Sequence, residues 1–97
     1  MRLIPQDWRE LSALERDVLV GFAAHDEPTT TYQIYTEVNP EKDPNSVYKP
    51  ARKLKEKGYL EQVAEGDENY EGDPVQITDK GRDLVKQAVV DPALKVK

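Results

Sequence analysis

Between residues 42 and 57 the chain carries six bases, Lys42, Lys49, Arg52, Lys53, Lys55 and Lys57, against only Asp43 and Glu56, a net charge of +4. Asn45 and Ser46, in the same span, can each donate and accept hydrogen bonds. The guanidinium of Arg52 is a rigid fork that matches the O6/N7 edge of a guanine, whereas the ammoniums of Lys49 and Lys53 are point charges suited to phosphate oxygens. Lys42 and Lys57 lie at the margins of such a surface. These residue types suit the major groove of a duplex, with Asn45, Ser46 and Arg52 towards base edges and the lysines towards backbone. The plainer alternative is a set of lysines that only solvates an exposed helix face. The surrounding elements favour the first reading.

Other chemistries find little material. The chain has no Cys and one His, so thiolate metal sites, disulfides and nucleophile–histidine pairs are all missing. His25 stands at an expected helix end beside Asp26 and Glu27, where the helix dipole suits it better than a metal would. The acidic span 61–73 holds Glu61, Glu65, Asp67, Glu68, Glu71 and Asp73 and no base, a net charge of −6. Its carboxylates lack the regular spacing of a calcium loop. No glycine-rich phosphate loop is present. An enzyme is not expected, nor a metal or cofactor.

The basic segment needs a frame to present it, and the sequence supplies one. Ser12 and Glu15 form a capping box, and Leu11, Leu14, Val18 and Phe22 recur at helical spacing, which predicts a first helix over 12–24. Residues 7–10 form a turn before it that lays Trp8 on the body. Thr30 and Gln33 make a second box, opening a short helix over 31–38 with Ile34, Tyr35 and Val38 inward and Asn39-Pro40 at its end. A third helix follows. Its buried side is Val47, Ala51 and Leu54, and Gly58 stops it. Pro50 belongs in a first turn, so the start falls at Asn45 or Ser46, either of which can cap; Asp43 with Pro44 at the first position is the alternative.

Residues 59–63 and 75–78 alternate as two strands, with 64–74 as the tip between them. Thr78 or Asp79 caps a last helix carrying Leu84, Val85, Ala88 and Val89, stopped at Asp91-Pro92. Ninety-seven residues make one domain, 1–97, with a core over 11–89 and a tail over 90–97. The net charge is −5, so the positive charge is concentrated rather than general. No apolar run approaches membrane-spanning length and residues 1–10 hold no signal-peptide core; the expectation is a soluble cytoplasmic protein.

At Ser46-Val47-Tyr48, Arg52-Lys53-Leu54, Lys57-Gly58-Tyr59-Leu60 and Ile77-Thr78-Asp79-Lys80-Gly81-Arg82 the chain resembles the PadR-like winged-helix transcription regulators, with the MarR-like group as a near neighbour. The resemblance covers about 11–89. It implies an α+β winged helix-turn-helix: a three-helix core, a two-stranded β wing and a C-terminal helix. In that family the Tyr begins the recognition helix, here about 45–57, the Lys-Gly pair ends it, and the Thr-x-x-Gly-Arg segment closes the wing into the last helix. Three features depart from the pattern. Lys49 intervenes between Tyr48 and Pro50, the tip of the wing has no base, and the last helix has only about a dozen residues.

The expected function is sequence-dependent binding of double-stranded DNA and regulation of transcription, as a homodimer. The candidate contacts are Asn45, Ser46, Tyr48, Lys49, Arg52, Lys53 and Thr31, the last through its hydroxyl or backbone amide. Trp8 and the Leu84, Val85, Val89 stripe complete the core of the monomer or form a dimer seam. The rival expectation is a protein-interaction module, or a DNA mimic, whose acidic wing at 61–73 meets a basic partner.

Overall fold

The computed structural model describes residues 4–63 and 74–90. Its elements are α1 (Gln6–Arg9), α2 (Ala13–Ala23), β1 (Thr29–Thr30), α3 (Thr31–Val38), α4 (Asn45–Glu56), β2 (Leu60–Gln62), β3 (Pro74–Ile77) and α5 (Asp79–Val85), which continues as a wider π-helical turn over Lys86–Val90.

The caps explain the starts. Ser12 Oγ accepts from the Glu15 amide at 3.1 Å while Glu15 Oε1 accepts from the Ser12 amide at 2.8 Å, so both halves of the expected box form at α2. At α3 only one half forms. Thr30 Oγ1 accepts from the Gln33 amide at 3.0 Å, but the Gln33 side chain turns forward to Glu37 Oε2 at 2.9 Å. Thr78, rather than Asp79, caps α5, accepting from the Gly81 amide at 3.1 Å.

Helices α2, α3 and α4 pack around Val18, Leu19, Phe22, Ile34, Val47, Ala51 and Leu54, all essentially without exposed surface. Leu60, Val75 and Ile77 from the sheet and Leu84 and Val85 from α5 close the same cluster, and Trp8, Tyr35 and Val38 pack against its edge. Each fully buried Val, Leu, Ile or Phe among them contributes about 1.5–3 kcal/mol by leaving water. α2 and α3 approach closely at Gly21, where a β-carbon would stand 3.0 Å from Val38 Cγ2. Trp8 is held by Arg16, which donates to the Trp8 carbonyl at 3.1 Å and lies 5.7 Å from its ring.

Two expectations are corrected, the number of strands and the place of Pro50. The sheet has three strands in the order β1-β3-β2, not two: Thr29 pairs with Val75 and Thr30 with Pro74, antiparallel, alongside Leu60 with Ile77 and Gln62 with Val75. α4 begins at Asn45, one of the two expected starts, and it is Asp43 of the expected alternative whose side chain meets its first turn. Asp43 Oδ1 accepts from the Asn45 amide at 2.8 Å, and Pro44 already has helical angles (φ −53°, ψ −29°). Pro50, expected in the first turn, lies instead in the helix interior, buried, where it supplies no amide to the Ser46 carbonyl. Of the expected wing tip over 64–74, Pro74 belongs to β3, while residues 64–73, the Val89 side chain and the tail from residue 91 lie outside the described residues.

Candidate nucleic-acid interface

At 100° per residue, Val47, Ala51 and Leu54 share one side of α4, and Asn45, Lys49, Arg52 and Glu56 share the opposite side. The first three have no exposed surface. Asn45, Lys49, Lys53 and Glu56 are exposed, while Ser46, Tyr48 and Arg52 are half-buried. The expected contact residues of α4 therefore fall on its outward half and its borders. Lys49, Lys53 and Lys57 repeat every fourth residue and lean towards the α1–α2 junction. With Glu10, Leu11, Ser12, Glu15 and Pro50 they line an open groove of about 580 Å³.

Thr31 does not join them. Its residue is fully buried, and among the described residues no partner reaches its Oγ1. The hydroxyl is thus turned away from any ligand approaching α4, and only the backbone of that turn remains for one. Tyr32, the next residue, is 52% exposed and packs its ring on Tyr35 at 5.6 Å between centroids.

Both ends of α4 are braced by side chains that the sequence reading did not assign to the task, Tyr35 and Asn39 at one end and Lys80 at the other. At the N-terminal end the Tyr35 hydroxyl donates towards the carbonyls of Pro40 and Lys42, at 3.0 and 2.6 Å, gathering the turn that leads into the helix. Asn39 Nδ2 donates to Ser46 Oγ at 3.0 Å. Asp43-Pro44 was the available signal for the cap, since proline suits the first helical position.

The C-terminal end closes on Gly58, whose φ of +88° disfavours any residue with a β-carbon. The Gly58 amide donates to the Lys55 carbonyl at 3.1 Å and the Tyr59 amide to the Leu54 carbonyl at 3.0 Å, the paired bonds of a Schellman motif. Thr78 then donates from its amide to the Tyr59 carbonyl (2.9 Å) and from its hydroxyl to the Gly58 carbonyl (2.7 Å). Lys80 Nζ donates to the Lys57 carbonyl at 2.9 Å and stands 5.0 Å from the centroid of the Tyr59 ring. Gly81 lies so close that a β-carbon would meet the Tyr59 carbonyl oxygen at 2.4 Å. The Lys-Gly-Tyr-Leu and Thr-Asp-Lys-Gly segments, which carry the family resemblance, are thus the joint between α4, β2 and α5.

Electrostatics elsewhere are modest. His25 Nε2 lies 2.8 Å from Glu37 Oε1 and ties the end of α2 to α3. The Gln33 side-chain amide first, then the His25 ring, hold the Glu37 carboxyl below its usual pKa. Burial first, then Asp7 and Glu10, push the Tyr59 phenol above its usual value. No cluster of His, Cys, Asp or Glu among the described residues has the makings of a metal site. Among the same residues no helix is long and apolar enough to cross a membrane.

No protein-family model matches the sequence, and no curated protein matches it. Solved structures do match in shape. RV1404 from Mycobacterium tuberculosis superposes with a TM-score of 0.74 at 17% identity, over 96% of this chain and 60% of that one. The MarR family transcription regulator SP03579 gives 0.70 at 12% identity, over 90% of this chain and 55% of that one. NMB1585, a MarR family regulator from Neisseria meningitidis, gives 0.65 at 14% identity, over 93% and 57%. The chain therefore spans little more than half the length of these proteins. Together with the helix order and the three-stranded sheet, the superpositions establish the winged-helix fold.

Proposed function

We propose that this winged helix binds duplex DNA in a sequence-dependent way and regulates transcription, with α4 as the helix that enters the major groove. The observation that carries the reading is the outward stripe of Asn45, Lys49 and Arg52, set opposite Val47, Ala51 and Leu54 and braced at both ends of the helix. Asn45 and Arg52 read base edges, Ser46 and Tyr48 border them, and Lys49 and Lys53 contact phosphate. Thr31 contributes through its backbone alone. The likeness in shape to MarR family regulators supports the same reading, and the resemblance of the segments at 46–48, 52–54, 57–60 and 77–82 supports a PadR-like subtype. In this reading residues 1–97 are a single domain, with its core over 11–89 and a tail over 90–97. The domain acts in the cytoplasm as a homodimer, because one short basic helix gives little affinity alone and a two-fold pair addresses half-sites one helical turn apart.

Selection of duplexes from a randomised pool tests this. The wild-type protein enriches a defined site, and Arg52→Ala weakens binding to it by about 1–3 kcal/mol while relaxing the preference at one position. Equal loss on every sequence would remove Arg52 from base reading. No enrichment at all would remove sequence dependence.

A further inference from the structure

Lys80 is exposed, yet its ammonium is committed inward: Nζ donates to the Lys57 carbonyl at 2.9 Å and lies over the Tyr59 ring. Lys57 is the last residue before the glycine that ends α4, so its carbonyl belongs to the negative end of that helix's dipole. Lys80 itself sits in the first turn of α5, next to Thr78, whose hydroxyl and amide hold the carbonyls of Gly58 and Tyr59. Arg82, in the same turn, reaches the Ala23 carbonyl at the end of α2 at 3.4 Å. One turn of α5 thus grips the C-terminal ends of two helices, and Lys80 supplies the charged contact to α4.

We propose that Lys80 is a positioning residue for α4, fixing the tilt of its outward stripe against the body and so governing discrimination between DNA sequences rather than attraction to phosphate. This rests on the DNA-binding reading above. The Lys80 ammonium keeps its charge, but in this reading it is engaged with the Lys57 carbonyl at the helix end and not with a phosphate. A helix whose last turn is loosened still meets the backbone, yet presents Asn45 and Arg52 to base edges in many orientations instead of one.

The test compares wild type, Lys80→Met and Lys80→Arg in two measurements. In free protein, amide hydrogen exchange followed by NMR should rise about tenfold at Gly58 and Tyr59 in Lys80→Met, the effect of losing one charge-assisted hydrogen bond. The amides of Glu15 and Gln33, at the caps of α2 and α3, should stay unchanged, and Lys80→Arg should restore Gly58 and Tyr59. With DNA, the ratio of affinities for an enriched duplex and a random duplex should fall in Lys80→Met at an unchanged salt slope, and Lys80→Arg should recover it. Unchanged exchange at Gly58 and Tyr59, or equal acceleration at every amide, overturns the proposal. So does a salt slope lower by about one with discrimination intact, which would make Lys80 a phosphate ligand. If wild type binds neither duplex, the DNA reading falls, and the exchange arm alone decides whether Lys80 fixes α4.

Discussion

Thr31 occupies the first position of α3 with no exposed surface and an Oγ1 that no described residue reaches. A buried hydroxyl left unsatisfied costs about 1–3 kcal/mol, so Thr31→Val, which keeps the shape and removes the polar atom, should raise stability by about 1 kcal/mol. Urea denaturation of the pair measures this. A loss of more than about 1 kcal/mol would mean that the hydroxyl has a partner. Affinity for DNA should not change. The sequence showed Thr30 as a cap, because capping is a relation among neighbours in the chain, but it did not show that Thr31 points inward. Its burial follows from the pairing of Thr29 and Thr30 with β3, more than forty positions along the chain, which no local pattern records. Asn45, Lys49 and Lys53 were legible for the opposite reason. Helical periodicity alone puts them away from Val47, Ala51 and Leu54.

α4 is the element on which the account turns, and its two ends differ in how plainly the sequence announces them. The C-terminal stop at Gly58 was readable, because a glycine after the last apolar position is a strong local signal. The N-terminal start was not fixed, since Asp43, Asn45 and Ser46 are all competent caps and Pro50 favoured the later ones. The structure begins α4 at Asn45, with Asp43 Oδ1 accepting from the Asn45 amide, and accommodates Pro50 inside the helix. The joint with α5 is held by approach as well as by hydrogen bonds. Gly81→Ala places a methyl group 2.4 Å from the Tyr59 carbonyl oxygen and 2.9 Å from Ile77 Cγ1, so strand or helix must move. We expect a loss of about 1–3 kcal/mol in stability, measured by urea denaturation. Gly58→Ala, strained by its positive φ but with more open space, should lose about 1–2 kcal/mol. A Gly81→Ala protein as stable as wild type would show that the joint is loose, and Lys80 would then have little to fix.

Across the whole molecule a net charge of −5 coexists with a span of +4 over residues 42–57, and α4 carries three of the six bases of that span, Lys49, Arg52 and Lys53, on its outer half. Net charge alone argues against a polyanionic ligand, while its distribution argues for one. The three-helix core, the α+β class and the place of the wing strands were legible from caps, periodicity and one glycine. The third strand and the grip of α5 on α4 were not, because both are made by residues far apart in sequence. The most direct test of the central claim is fluorescence anisotropy of a labelled duplex titrated with the protein across a series of salt concentrations. The account predicts binding whose log affinity falls linearly with log salt concentration, and which Lys49→Ala, Arg52→Ala and Lys53→Ala in combination abolish without unfolding the protein. Absence of binding at low salt, or binding indifferent to those three substitutions, would contradict it.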